Sequence, residues 1–288
     1  MATLQLTSYD LATTYAQVLM PVDYSPPSWN LLPTARHLAE AFGVPMNVLH
    51  VDTETHWRDA GDSQQVEHVT PSGEVVRVSD VAERDAPTGI TRALGDDESS
   101  LLVMPTHGHA GFAELAMGGT ANEILRRWQG PLLTSGPQFR VGGGRIRRIV
   151  MCVGPSATST ALVVDVGRWA RIMQARVELL SVTKPGSGTA FSDVQEAHAR
   201  LQELAALLPA GAPAPVTVRL QGARASHEIV SYVDQVPGTV VAMATRARSA
   251  PQHALLGSVA TAVLRNSKSL VLLRRADAAP GRNEGSLR

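Results

Sequence analysis

Short apolar runs alternate with amphipathic stretches along most of the chain. In the first half, the apolar run QVLMPV (17–22) leads into the amphipathic stretch PPSWNLLPTARHLAEAF and then into PMNVLHVD (45–52). Apolar runs of this length predict strands buried on both faces, and the helical spacing of the longer stretch predicts a helix. Strands that alternate with helices predict right-handed crossovers and a doubly wound α/β sheet.

The same order of elements occurs a second time. RRIVMCVGPS (147–156) leads into the amphipathic STALVVDVGRWARIM and then into ARVELLSVT (175–183). Later segments also correspond: SSLLVMPTHG with TVVAMATRA, and GGTANEILRRWQGPLLTS with GSVATAVLRNSKSLVLLR. Each copy spans about 130 residues. This period is much longer than the roughly 20–50 residues of solenoid repeats, so it indicates domain duplication.

The duplication predicts a domain at 15–138, a glycine-rich linker at 139–145, a second domain at 146–275 and a disordered tail at 276–288. The second copy has a clear helical pattern at 192–209. The first copy has irregular chain at the equivalent place, with a hairpin expected around Pro71, Ser72 and Gly73. The final runs, PLLTS and SLVLL, are expected at sheet edges, where apolar strands seek partners. We expect them to pair within one chain, or across a homodimer.

Composition limits the class of protein. The chain has 44% hydrophobic residues and a single cysteine, Cys152. The hydrophobic content is therefore sufficient for real hydrophobic cores. A single cysteine excludes an internal disulfide framework and leads us to expect a reducing cytoplasm. No run has the roughly 18 apolar residues of a membrane span, and the start MATLQLTSYDLATTY has no basic region or apolar core typical of a signal peptide. We expect neither a membrane nor a nucleic acid as partner.

The zero net charge hides a division between the two halves. Residues 1–140 carry 8 Arg, no Lys and 17 Asp or Glu, whereas residues 141–288 carry 18 Lys or Arg and 9 Asp or Glu. One interpretation is that the halves have complementary surfaces, or that the second half has a basic face for an anionic partner. The alternative is two solvated surfaces that differ in composition without a function.

The stretch 104–125, MPTHGHAGFAELAMGGTANEIL, is the best candidate for ligand chemistry. It follows the predicted fourth strand, and in a doubly wound sheet ligands bind beyond the carboxyl ends of strands, where the strand order reverses. The stretch has several glycines but no Walker A lysine. A helix start with glycines can nevertheless hold an anion through backbone N–H groups and the helix dipole.

This arrangement resembles the universal stress protein family, whose ATP-binding members carry G-x-x-G, nine residues, and then G-[S/T]. The resemblance covers residues 15–136 and 146–275 and includes the T-H-G turn at 106–108 and the spacing from Gly108 to Gly118. It implies two flavodoxin-like, adenine nucleotide alpha hydrolase-like domains. Each would have a five-stranded parallel sheet of strand order 3-2-1-4-5.

The resemblance also implies a site for ATP, or another adenine nucleotide, in the first domain. By their matching positions, the residues that would form it are Pro21, Val22, Asp23, Val51, Gly108, Gly118, Gly119 and Thr120. Asp23 would be the polar anchor for the nucleoside, and Val51 would contact the base. Pro105 replaces the first glycine of the motif, and Gly119 replaces its Ser or Thr. Thr120 carries a hydroxyl one position later.

The second domain departs further from the family motif. Gly154 replaces the aspartate, and Ala244 and Ala247 replace two glycines, so we expect no nucleotide there. Gly257 and Ser258 match the helix start, with Arg246 and Arg248 nearby in sequence. An anion site is one interpretation of this pair. An ordinary N-terminal helix cap is the other.

The resemblance implies a stress-response regulatory or binding protein rather than an enzyme. A nucleophile elbow is absent, and no residue set pairs a nucleophile with a base. Two alternatives remain, an interaction scaffold with decayed sites and a weak ATP hydrolase. The histidines of the first half, His50, His56, His68, His107 and His109, lack metal-ligand spacing, so no metal is predicted. Cys152 is expected mid-strand, and Trp128 and Trp169 in the core or an interface.

Overall fold

We describe the fold from a computed structural model of the chain. The structure describes residues 15–54, 63–95, 98–106, 118–141, 144–154, 160–184, 190–208, 211–245 and 256–276. The statements that follow concern these residues. Within them, no helix combines the length and the hydrophobicity that a membrane span requires.

The described part of the first half contains six strands and four helices. The strands are β1 Gln17–Val22, β2 Met46–Asp52, β3 Ser63–Val69, β4 Val75–Ala82, β5 Ser100–Pro105 and β6 Leu132–Ser135. The helices are α1 Pro26–Trp29, α2 Leu32–Phe42, α3 Ala86–Leu94 and α4 Gly119–Arg127.

The described part of the second half contains five strands and four helices. The strands are β7 Arg148–Cys152, β8 Arg176–Thr183, β9 Val216–Gln221, β10 Thr239–Thr245 and β11 Leu270–Arg275. The helices are α5 Thr160–Met173, α6 Ala190–Ala206, α7 Ala225–Val233 and α8 Ser258–Asn266.

All of these strands form one sheet, in the order β3-β4-β2-β1-β5-β6-β11-β10-β7-β8-β9. Each half contributes five parallel strands, as expected, and counting them along the chain gives 3-2-1-4-5 in both halves. The first half adds a sixth strand, β3, which pairs antiparallel with β4 through the hairpin expected at Pro71–Gly73. The second half has α6 at the equivalent place.

The two halves meet at an antiparallel seam between β6 and β11. Leu133 lies opposite Leu272, and Leu132 lies opposite Leu273. All four of these side chains are buried. The strands that end each parallel half are therefore interior strands of the joint sheet. The polar strands β3 and β9, in which exposed positions predominate, form its outer edges.

Helices cover both faces of the joint sheet. Buried residues of α1, α2, α5 and α6 share one hydrophobic core with the first face. Buried residues of α3, α4, α7 and α8 share a second core with the opposite face. The crossover that leaves β1 therefore lies on one face, and the crossover that enters β5 lies on the other. The strand order reverses between β1 and β5, which places a crevice at their carboxyl ends.

Candidate functional site in the first half

The carboxyl ends of β1, β2 and β5 bring the predicted site residues to one end of the sheet. Asp23 directly follows β1, Val51 is the penultimate residue of β2, and Gly118 precedes α4. β1 lies between β2 and β5, and Val22 is in register with His50. The three candidate residues are therefore grouped around the point where the strand order reverses.

They also share a face of the sheet. Side chains alternate along a strand, and Leu19 belongs to the core under α3 and α4, so Asp23, four residues later, is in phase with that face. Val51 packs against the same core, and Met104 near the end of β5 is part of it. Ala121, in the first turn of α4, is buried there as well. A carboxylate, an apolar side chain and a helix start thus lie on one face of the sheet, at the point where the strand order reverses.

A tight turn orients the carboxylate of Asp23. Its Oδ1 accepts hydrogen bonds from the Ser25 amide, at 3.1 Å, and from the Ser25 hydroxyl. Tyr24, between them, has a positive φ of 60°, a conformation uncommon for a residue other than glycine. The Asp23 side chain remains exposed. An exposed, oriented carboxylate can accept hydrogen bonds from ligand hydroxyl groups.

Val51 forms a half-buried wall because α3 approaches β2 closely at Gly89. A Cβ at Gly89 would lie 2.8 Å from Cγ2 of Val51 and 2.9 Å from its Cγ1. Only glycine allows this approach without displacing Val51. The backbone of β2 is thereby held next to the crevice.

The glycine loop is closed at its base by backbone hydrogen bonds. The Gly118 amide donates to the Thr106 carbonyl oxygen at 2.8 Å. The amide and hydroxyl of Thr106 both donate to the Ser135 carbonyl oxygen, each at 3.0 Å. Pro105 ends β5 and is in register with Ser135. Gly108 lies outside the described residues.

These contacts change the predicted role of Gly118. Its amide is used to close the loop, so the donors available for an anion are those of the residues that follow it. The first amides of a helix have no acceptor within the helix, and no side chain caps α4 at Gly118. A Cβ at Gly119 would meet no atom of the described residues within 4 Å. A helix start of this kind can bind a phosphate group through the backbone amides of Gly119 and Thr120.

The corresponding positions of the second half offer fewer polar groups to a ligand. Gly257 is the N-cap of α8, without a side-chain hydrogen bond, and Ser258 is the first helical residue. Gly154 stands where the first half has Asp23 and carries no side chain, and among the described residues no atom lies within 4 Å of a Cβ built on it. Arg246, Ala247 and Arg248 lie outside the described residues.

An aromatic cluster that the sequence did not predict forms around Tyr24, the residue after Asp23. The ring of Tyr24 lies 4.4 Å from the rings of both His50 and His68, and Trp29 stacks on His68 at 5.1 Å. Nδ1 of His50 lies 2.8 Å from Oδ1 of Asp80. His50 precedes Val51 in the strand, so the cluster lies on the opposite face from the crevice.

The histidines, the cysteine and the two tryptophans were the remaining candidates for a functional role. Among the described residues, no group of three or more His, Cys, Asp or Glu side chains is arranged to hold a metal. His56, His107 and His109 lie outside them. Cys152 is the last residue of β7 rather than a mid-strand residue. Trp128 and Trp169 are buried, which confirms that they belong to the core.

Both halves of the chain match the model of one protein family. The model described as "Universal stress protein family" matches residues 14–134 and again residues 145–275. The chain belongs to the universal stress protein family. Its duplicated α/β sheet is therefore a tandem arrangement of two family domains. No curated protein matched the sequence.

Solved structures of similar length share this architecture. A functionally unknown protein from Pseudomonas aeruginosa PAO1 is 14% identical, with a TM-score of 0.61 over 92% of this chain and 94% of its own. A universal stress protein from Archaeoglobus fulgidus DSM 4304 is 15% identical, with a TM-score of 0.57 over 91% of this chain and 98% of its own. At these identities the likeness concerns the fold.

Proposed function

We propose that this universal stress protein binds ATP, or another adenine nucleotide, in its first half and acts as a nucleotide-linked regulatory protein. The observation that carries the proposal is the shared face of Asp23, Val51 and the start of α4 at the reversal of strand order. In that position Asp23 would accept hydrogen bonds from the ribose hydroxyls. The backbone and side chain of Val51 would contact the base.

The phosphates would lie over the start of α4. Gly119 and Thr120 supply amide donors there, and the positive end of the helix dipole favours an anion. No acidic residue occupies the first turn of α4, and two arginines lie in its last turn. The helix therefore carries no charge at its start that would repel a phosphate.

We propose no nucleotide in the second half and no catalytic turnover. Gly154 offers no carboxylate, and the start of α8 has only backbone groups and the Ser258 hydroxyl. Backbone donors and one exposed carboxylate can bind a nucleotide, but they supply no activated nucleophile. Binding would thus be the functional event, as in a protein whose occupancy reports nucleotide level.

The test uses three substitutions at one position of the full chain, with calorimetric titration of ATP and of adenosine. Gly119→Ser restores the hydroxyl of the family motif and should tighten ATP binding about tenfold, because a hydrogen bond to a charged group contributes about 1.5–3 kcal/mol. Gly119→Ala is the matched control and should leave the affinity close to wild type. Gly119→Asp places a carboxylate where the phosphates would lie and should weaken ATP binding but not adenosine binding.

A separate variant tests the nucleoside end of the site. Asp23→Asn should weaken the binding of both ATP and adenosine, whereas Glu40→Gln, which removes the same charge at an exposed position of α2, should weaken neither. Wild-type protein that shows no heat up to millimolar ATP would contradict the proposal and favour an interaction scaffold. Phosphate release that depends on Asp23 would favour the hydrolase alternative.

A further inference from the structure

A second concave site lies at the opposite end of the parallel strands of the second half. It is a cleft of about 420 Å³ formed by the amino ends of β10 and β11, the turn before β10, and the segment that joins the two halves. Small-molecule sites typically occupy roughly 300–1,000 Å³, so the volume suits a compact ligand. The crevice of the proposed nucleotide site lies at carboxyl ends of strands in the first half, so the two sites are separate.

Four cationic side chains line this cleft. They are Arg140, Arg145, Arg147 and Lys268. All four are exposed. Among the described residues, no carboxylate lies within ion-pair distance of any of them. Arg36, Arg92 and Arg274, by contrast, each pair with a glutamate. We call Arg140, Arg145, Arg147 and Lys268 the basic cleft residues.

One carboxylate, Asp234, also lines the cleft, but its hydrogen bonds hold the wall. It accepts from the Ser267 hydroxyl at 2.7 Å, from the Lys268 amide at 3.0 Å and from the Ser269 hydroxyl at 3.2 Å. Because both oxygens are directed to the segment before β11, Asp234 fixes that segment. Four cations against one engaged carboxylate leave a positive potential in the cleft.

Backbone hydrogen bonds hold the walls of the cleft together without a ligand. The Arg147 amide donates to the Gly238 carbonyl oxygen at 3.0 Å, and the Arg140 amide donates to that of Lys268 at 3.4 Å. Gly238 has a φ of 76°, and a Cβ there would lie 2.8 Å from the Arg145 carbonyl oxygen. The segment that joins the halves is therefore hydrogen-bonded to the turn before β10 and to the turn before β11. It carries three of the four basic cleft residues, Arg140, Arg145 and Arg147.

The floor of the cleft is apolar. Ile146 and Leu270 are buried beneath it, and Phe139 is half-buried at its side. Val141 and Val236, which are 54% and 43% exposed, add apolar surface to the lining. An apolar floor together with four cationic lining residues suits a ligand with both a nonpolar part and several negative charges.

We propose that this cleft binds a small organic anion that carries two or more phosphate groups. Arginine forks and a lysine ammonium supply the donors that phosphate oxygens require. The four cations line a single concave volume, and the described lining residues include one aromatic ring, Phe139. Those features distinguish the cleft from a groove for single-stranded nucleic acid, in which successive bases stack on several aromatic rings.

The test is a calorimetric titration of the full chain with inorganic tripolyphosphate at low ionic strength. The test variant is Arg145→Gln with Lys268→Gln. The matched control is Arg219→Gln with Arg224→Gln, which removes the same charge from exposed positions on β9 and before α7. Loss of two charge-assisted contacts should weaken binding by about a hundredfold in the test variant and by less than about threefold in the control. Thermal unfolding measured by circular dichroism verifies that both variants fold. If the double test variant does not fold, the single substitution Arg140→Gln replaces it in the titration.

The Gly119→Asp variant separates this site from the proposed nucleotide site. Tripolyphosphate binding at the cleft should be unchanged in that variant, even if ATP binding in the first half is lost or never existed. The proposal is overturned if tripolyphosphate does not bind, if test and control lose affinity equally, or if only Gly119→Asp reduces binding. It is also overturned if a single-stranded RNA oligonucleotide binds the cleft more tightly than tripolyphosphate does.

Discussion

The hydroxyl of Tyr15 donates a 3.0 Å hydrogen bond to Oδ1 of Asp165, a residue 150 positions later in the chain. Nε1 of Trp169 in turn donates to the Tyr15 oxygen at 2.8 Å. Nε of Arg274 lies 3.7 Å from the other oxygen of Asp165, and the same guanidinium pairs with Glu98 at 2.5 Å. The two halves are thus joined by a buried polar network as well as by the β6–β11 seam.

Replacing Tyr15 by Phe should lower the free energy of unfolding by about 1–3 kcal/mol, since Asp165 and Trp169 would each lose a buried partner. The aromatic contact with Phe42, at 4.9 Å between ring centroids, would be retained. Urea unfolding curves measure the effect. Tyr24→Phe is the control, because the Tyr24 hydroxyl makes no hydrogen bond among the described residues. Equal small effects in the two variants would mean that the network contributes little.

The titration of Asp165 should be visible in the pH dependence of stability. Burial raises the pKa of Asp165 above its usual value, although the nearby Arg274 acts in the opposite direction. The folded state then binds the proton more tightly than the unfolded chain. The contribution to stability is therefore fully present below the ordinary pKa of about 3.9 and is lost as pH rises through the folded pKa.

Asp165→Asn removes this titration and keeps an oxygen for the Tyr15 hydroxyl. The difference in unfolding free energy between variant and wild type should shift in favour of the variant as pH rises from about 4. Denaturant curves at a series of pH values measure this difference. A difference that stays constant with pH would show that Asp165 titrates as it does in the unfolded chain.

The start of α3 offers a test of helix capping. Oδ1 of Asp85 accepts from the Thr88 amide at 2.8 Å, and the hydrogen bonds from Thr88 are the first cause that lowers the pKa of Asp85. Asp85→Ala should destabilise the fold by about 1 kcal/mol near neutral pH, whereas Asp85→Asn should lose much less. The contribution of Asp85 is present above its ordinary pKa and lost as pH falls through the lowered one. Chemical denaturation at neutral and acidic pH compares the two variants.

The single thiol of the chain should be inert in the folded protein. Burial raises the pKa of the Cys152 thiol to about 12, so very little thiolate is present near neutral pH. A coloured disulfide reagent should therefore react slowly with native protein and rapidly in denaturant. Fast reaction of the native protein at neutral pH would contradict this environment for Cys152.

The pattern of apolar runs predicted most of the parallel strands and helices, because each of those strands is buried on both faces. β3 is different: its sequence SQQVEHV has mostly exposed positions, so no apolar run marks it. Its pairing with β4 depends on the hairpin rather than on its own composition. Ala276, which composition assigned to the tail, is buried and donates its amide to the Thr245 carbonyl oxygen at 3.0 Å.

The candidate site was predictable to the extent that strand ends define it. Asp23 and Val51 follow from the ends of two apolar runs. The use of the Gly118 amide on Thr106 could not be predicted, because it depends on the path of the backbone. The basic cleft could not be predicted from the sequence either. Its residues are scattered in sequence from Arg140 to Lys268, and only the packing of the joining segment brings them together.

The seam between β6 and β11 gives this protein a property that a pair of separate chains would not have. Because both strands belong to one polypeptide, the effective concentration of one for the other is set by the chain that joins them. Dilution therefore cannot separate the halves, and their pairing should be the same at nanomolar as at millimolar protein. The cell could lower the amount of this protein greatly without changing the fraction of molecules in which the eleven-stranded sheet is complete.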